Sequence, residues 1–364
     1  MQLYSLGNSR IALAEFVLGA SLAIACPLQA QGCMPIRFTS PSLGAIDNSY
    51  LSDHEWQFGV AYRFLHADNF YIGHQYSPAE TPGGEPIDIH IHTITLNATY
   101  ALSRRLSLSL QLPFATGTES TIQPDGLRHA QGQTSIGDVS LLGNFWLLSP
   151  LDHAHGNVLL TLGVKAPTGT YDGKGAFYGA PGVRTEDFSN NTIQTGDGGW
   201  GIALQTDIFQ RVANRVSFYA AGSYLISPKQ HIDYMFGQTA PVRNYVAVTD
   251  EYSAHAGFSY ALLPRHGLTA SLGGRVDGIP VHDLVGGGDQ YFRRPGYAVY
   301  AEPGLSYTMA RSPFSRTGST FSISVPITVD RNREESVAER ESGAPGGGDF
   351  AKYLVFFTYS LRPR

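Results

Sequence analysis

Thr93-Ile94-Thr95-Leu96-Asn97-Ala98-Thr99-Tyr100-Ala101-Leu102-Ser103-Arg104-Arg105-Leu106-Ser107-Leu108-Ser109-Leu110-Gln111-Leu112-Pro113-Phe114 is the stretch that decides the fold. Side chains of a strand point alternately to its two faces, so Ile94, Leu96, Ala98 and Tyr100 share one face while Thr95, Asn97 and Thr99 share the other. Ser103-Arg104-Arg105 turns the chain, and Leu106, Leu108, Leu110, Leu112 and Phe114 then alternate with Ser107, Ser109 and Gln111. The two halves predict a hairpin with one apolar face and one hydroxyl-rich face.

The pattern spreads in both directions. Trp56 to Phe64, Val158 to Val164, Trp200 to Ile208, Val216 to Tyr224, Ala254 to Leu262, Leu268 to Val276, Val299 to Met309, Phe321 to Val329 and Tyr353 to Leu361 all alternate. Val139 to Leu147 is less regular, because Leu142 and Trp146 fall on its polar face. Connections alternate too. Residues 103–105, 149–156, 211–215, 263–266 and 310–317 are short. Residues 65–86, 115–133, 168–198, 228–244, 278–296 and 330–349 are long and rich in Gly, Pro, Asp and Asn. Short turns at one end and long loops at the other define a transmembrane up-and-down antiparallel β-barrel of about twelve strands. Closure follows because lipid cannot satisfy an unpaired strand edge.

Composition agrees. The chain is 42% hydrophobic and only 15% charged, against about 25% charged in soluble domains. Its polar faces carry Ser, Thr, Gly and Gln rather than the Lys and Glu of a soluble sandwich. No run beyond the N-terminus approaches the roughly 18 apolar residues of a spanning helix. Net charge is −5 with no basic block, which leaves no electrostatic footprint for nucleic acid. Residues 1–30 read as a signal peptide, with Arg10 before an apolar run from Ile11 to Ala25 and Ala30 at its end. Residues 31–50 are irregular and lie either in the periplasm or as a plug in the lumen; the barrel occupies 51–364. Cys33 would then be the sole mature cysteine, which excludes a disulfide or a Cys-cluster zinc site. Lipidation at Cys26 or Cys33 is the alternative to an ordinary periplasmic Cys33.

Assigning the polar parity inward places Arg63, Asp138, Lys165, Asp207, Glu251, His255, Arg275, Asp277 and Glu302 in the lumen. Two readings follow: a paired structural network filling a narrow barrel, or a constriction selecting solutes by charge, with Glu302 as the leading selectivity residue. On the outer rim, His90 and His92 share the parity of Ile94. The hairpin register sets Thr116 opposite His92 and Thr118 opposite His90, with Cβ atoms about 5 Å apart. A hydroxyl beside a His is half of a nucleophilic site, with Asp88 or Glu119 as the orienting acid. A lipid-modifying rim enzyme is therefore one alternative, and a closed structural or adhesive barrel is another. His90 and His92 alone lack the third ligand of a metal site, so neither a metal nor a cofactor is expected. Loop 168–198 is long enough to fold into the barrel, and its Asp172, Asp187 and Asp197 lack the spacing of a calcium loop. Loop 330–349 reads as solvated and mobile.

Three short stretches carry a family resemblance: Ile136-Gly137-Asp138-Val139, Ala166-Pro167-Thr168-Gly169 and Gly196-Asp197-Gly198-Gly199-Trp200-Gly201. In these the chain resembles the outer-membrane family named for the meta-cleavage pathway of phenol degradation. The resemblance implies a barrel that passes or handles small, often aromatic, compounds and implies no catalytic residues. The expected protein is a monomeric, non-enzymatic, porin-like channel in the outer membrane of a Gram-negative bacterium. Its expected partners are outer-membrane lipid, lipopolysaccharide and a small-molecule solute.

Overall fold

The computed structural model describes residues 50–363 other than 79–83, 180–181, 236–244, 287, 310–317 and 344–345. The expected signal peptide, Cys26, Cys33 and all of the 31–50 segment but Tyr50 lie outside the described residues. Twelve strands form the wall. They are β1 (Trp56–Ile72), β2 (Asp88–Ala101), β3 (Leu106–Ile122), β4 (Arg128–Ile136 and Val139–Trp146), β5 (Gly156–Ala166) and β6 (Gly201–Ala213). There follow β7 (Val216–Ile226), β8 (Glu251–Leu263), β9 (Leu268–Ile279), β10 (Gly296–Met309), β11 (Ser319–Ser324 and Ile327–Arg333) and β12 (Gly347–Leu361). Each strand pairs antiparallel with the next, and β12 returns to β1 from Phe58↔Leu361 to Ile72↔Gly347. No edge is left along the membrane span, as lipid demands.

The predicted alternation sets which way each side chain points. Leu162 and Leu272, in the middle of their strands, are 62% and 64% exposed, and Phe58, Leu96, Leu110, Leu204, Phe258 and Leu305 are exposed likewise. In water such a belt would be untenable for a monomer; in a bilayer it is the required outer surface. The same register buries Leu142 and Trp146 inside the barrel, which explains their irregular parity. Leu142 packs on Ala203 and Leu225, and Trp146 lies 4.8 Å from the Tyr50 ring at the periplasmic mouth.

The strands run further than the alternation alone indicates. β1 continues to Ile72 and β3 to Ile122, where the sequence suggested loops from 65 and 115. Seventeen residues reach roughly 56 Å at about 3.3 Å per residue, so even a tilted strand projects well beyond a hydrocarbon core of about 30 Å. There the outward face becomes polar: on β3 the contrast between faces is weak, and on β1 it inverts, with Leu65 and Ala67 inward and His66 outward.

Two strands are broken. In β4 the break is Gly137-Asp138, where the Gly137 N–H donates to the Pro113 carbonyl (2.8 Å). The outer piece, Arg128–Ile136, pairs with β3 alone, and Gln131 and Gln133 on it donate to the carbonyls of Ala176 and Lys174 at 3.0 and 2.9 Å. Those carbonyls belong to a hairpin (Lys174–Tyr178 with Arg184–Phe188) within the loop joining β5 to β6. In β11 the break is Val325-Pro326, consistent with the loss of a ladder donor at proline.

Loops fill the outer half of the lumen. Residues 189–199 are buried, and Ile193 packs against Ala67, Ile89 and Ile91 on the inner wall. Gly117 admits this segment, since a Cβ there would sit 2.8 Å from the Ile193 carbonyl oxygen. The described part of 330–349 carries regular structure that the sequence reading did not expect: residues 330–333 and 347–349 belong to β11 and β12. It holds a helix, Val337–Ser342, with a capping box between Ser336 and Glu339, and Arg333 pairs with Glu339 at 2.6 Å. Two reciprocal caps and a buried guanidinium outweigh the solvation of an Arg/Glu-rich stretch.

Candidate functional site

All nine predicted lumen residues are buried inside the barrel. Most gather into two networks. In the first, Lys165 on β5 reaches Asp138 at the β4 break (3.1 Å), the Asp197 carboxylate from the inserted loop, and the Gly199 carbonyl (3.0 Å). Asp138 also accepts from the N–H of Gly169 (2.9 Å) and of Asp197 (3.2 Å). Thr168 donates to the Gly137 carbonyl at 2.8 Å and accepts from the Val139 N–H at 2.9 Å. Glu251 lies within electrostatic reach of Lys165. Gly169 and Gly196 meet so closely that a Cβ on Gly169 would lie 2.6 Å from the Gly196 Cα. The three stretches that carry the family resemblance, far apart in sequence, are thus one structural knot around the Lys165 ammonium.

The second network lies across β8, β9, β10 and β11. Arg275 pairs with Asp277 at 2.9 Å and donates to Ser253 at 3.2 Å, while Ser253 donates to Asp277 at 2.7 Å. Glu302 accepts from Ser324 (3.0 Å) and lies 3.3 Å from His255 Nδ1. The Arg275 guanidinium rests on the Phe356 ring, 4.8 Å from its centroid. Buried charges are tolerated only when paired and hydrogen-bonded in this way.

Two adjoining cavities lie in the lumen among the described residues. The periplasmic one, of about 260 Å³, is walled by Asn97, Ser109, Asn144, Trp146, Asp207 and Phe209. The outer one, of about 80 Å³, is walled by Arg63, Asp138, Lys165, Gln194, Thr195 and Phe356. Asn97, Gln111 and Ala61 line both, so the two chambers adjoin. Gln194 and Thr195 belong to the inserted loop, which therefore forms part of the outer chamber's wall. Of the predicted lumen set, Arg63, Asp138, Lys165 and Asp207 face these spaces. Glu302, singled out from sequence, lines neither; its carboxylate is buried against His255 and Ser324 instead. Asp197 and the buried Arg293, which pairs with Asp283 at 2.6 Å, sit in loops where no alternation marks the inward side.

The rim residues stand where the register predicted. His90 pairs with Thr118 and His92 with Thr116, all on the outer face. Their side chains take other partners. His92 Nδ1 meets the Tyr62 hydroxyl at 2.8 Å, and Thr116 meets Thr134 at 3.1 Å. Among the described residues no hydrogen bond joins His90 to Thr118. Glu119 points inward toward Asn190 and Arg294 and orients neither histidine. Asp88 does turn to the rim, 3.5 Å from His90 Nδ1 and 2.8 Å from His66 Nε2. Sequence reading missed His66, because it placed residues 65–86 in a loop. In the 168–198 loop, Asp187 caps the Phe188 N–H and Asp197 is held by Lys165, so its acids do not converge on a calcium site.

A closed, twelve-stranded barrel with an apolar belt, short turns at one end and inward-folded loops at the other defines an outer-membrane β-barrel protein of the Gram-negative type. Among solved structures it resembles an outer-membrane channel from Pseudomonas putida F1, at 12% identity and a TM-score of 0.57, covering 89% of this chain and 100% of that one. Lesser likenesses include the toluene transporter TbuX of Ralstonia pickettii (8% identity, TM-score 0.43, 93% and 100% covered). The translocator domain of the autotransporter NalP from Neisseria meningitidis scores similarly (10%, 0.44, 97% of each chain). At these values the likeness is one of fold. No protein-family profile matches the chain, and no curated protein sequence matches it.

Proposed function

We propose that the protein passes or binds small solutes across the outer membrane, acting on hydrophobic or aromatic compounds in the manner implied by the phenol meta-pathway family. The observation that carries this reading is the pair of adjoining chambers inside the wall. The larger, at about 260 Å³, comes near the roughly 300 Å³ lower bound of small-molecule pockets, and its mainly polar wall of Asn, Gln, Ser and Thr side chains carries the Trp146 and Phe209 rings as apolar surfaces. The three family-like stretches stand at the outer ends of three neighbouring strands and meet around Lys165, which is compatible with the finer assignment. The solved channel from Pseudomonas putida F1 has the same fold, and TbuX is described as a toluene transporter. The segment 189–199 acts as the gate: it walls the outer chamber and is tied down through Asp197 to Lys165. Arg63, Asp138, Lys165 and Asp207 set the charge of the path. We place the protein in the membrane as a monomer, with the Thr116 and Thr118 rim against lipopolysaccharide headgroups and no hydrolytic chemistry there.

Uptake of a radiolabelled monocyclic aromatic by cells carrying the protein tests this. Faster uptake than in cells lacking it, with no gain for a disaccharide of similar polarity to the rim, is expected. Equal rates for the aromatic in both strains would sink the reading.

A further inference from the structure

The outer rim holds a constellation that solute passage does not use. We propose that His66, Asp88 and His90 form a binding site for a divalent transition-metal ion of the zinc or copper class. His66 on β1 is the direct cross-strand partner of His90 on β2. Asp88 precedes His90 by two residues and so shares its face. The ladder thus fixes three ligating side chains on one patch of rigid wall. Their ligand atoms all lie within 4.8 Å of one another. His66 Nε2 is 2.8 Å and His90 Nδ1 3.5 Å from the same Asp88 oxygen. Around a tetrahedral ion with bonds of about 2.0–2.1 Å, neighbouring ligand atoms sit roughly 3.3 Å apart, so the three side chains are within reach of one ion once the rings reorient.

Donor chemistry selects the ion. Two imidazole nitrogens and one carboxylate suit zinc, copper or nickel, whereas magnesium and calcium prefer an all-oxygen shell. All three side chains are partly exposed, at 28%, 37% and 43% for His66, His90 and Asp88, so an ion can enter and keep water in its open position. The two imidazoles stack with centroids 4.3 Å apart and planes within 8°. A ring nitrogen's lone pair lies in its ring plane, so one imidazole turns out of this stack to share an ion, which its partial exposure allows. Phe64 packs beside His90 on the same face. His92 stands one pair further toward the membrane and is engaged by Tyr62, which makes it an internal control.

The test is a zinc chloride titration of the full-length, tag-free protein refolded in detergent, followed by calorimetry. His66→Gln and His90→Gln should each remove one bound equivalent or weaken it at least tenfold, whereas His92→Gln should leave it unchanged. The His129–Asp125 and His282–Asp289 pairs are present in every variant and cancel in the comparison. Equal stoichiometry and affinity in wild type and both variants, or no zinc bound by the wild type, would overturn the site. Should a variant fail to fold, copper bound to the wild type decides the matter by electron paramagnetic resonance. Coupling to two nitrogens is expected at the first equivalent, and coupling to one or none contradicts the proposal.

Discussion

The two halves of the lumen are built from the same alternating strands and end up different. The periplasmic half is walled by Ser, Thr and Asn hydroxyls and amides and keeps a cavity of about 260 Å³. In the outer half the loops turn inward, bury 189–199 and leave about 80 Å³ beside Lys165. The strand residues in the two halves have similar polarity. What distinguishes them is Lys165, buried in the outer half, whose partners Asp197 and Gly199 come from the inserted loop. An unpaired Lys165 inside a low-dielectric barrel would be costly; Asp197, arriving on the loop, removes that cost and fixes the loop in the same step.

Breaking that coupling should have the largest effect. Lys165→Met leaves Asp138 and Asp197 facing each other without their cation, and losing one partner of a buried pair costs about 3–5 kcal/mol. Urea unfolding from vesicles should show destabilisation of that order, and protease should cleave within residues 189–199, which the wild type buries. Unchanged stability together with unchanged protection would show that the loop is held by other contacts. Leu142→Ala probes the hydrophobic counterpart deep in the wall, where Leu142 is buried against Ala203 and Leu225. The expected loss is about 2–5 kcal/mol without any change in loop protection, which separates wall packing from gating. Gly117→Val forces the close approach to Ile193 apart and should cost about 1–3 kcal/mol as an overpacked contact, again with exposure of 189–195 to protease. Thr118→Val is the smallest expected effect, within about 0.5 kcal/mol. It should also leave lipid composition unaltered in a detergent hydrolysis assay; a lost hydrolytic activity would revive the rim-enzyme reading.

Much of this was legible in the residues. Period-two alternation at Ile94–Tyr100 and Leu106–Phe114 fixes which face meets lipid, and a tight turn leaves the hairpin one register, so His90↔Thr118 follows directly. Inward parity likewise marks Arg275 and Glu302 as buried. Partner choice was not legible. Glu302 meets His255 and Ser324 from other strands, and Lys165 meets Asp197 from a loop, so sequence distance carries no trace of either contact. Leu142 and Trp146 break the pattern because the barrel has its own internal apolar patches. His66 was lost for a related reason: above the membrane the polarity of the two faces of β1 inverts, with Leu65 and Ala67 turned inward and His66 outward, although pairing continues.

Single-channel conductance in planar bilayers, wild type beside Lys165→Met, tests most directly whether the inserted loop closes the outer half. Small or rare openings in the wild type and larger, frequent ones in the variant are expected. Large, stable openings in the wild type that Lys165→Met leaves unchanged would contradict a loop gate anchored at Lys165.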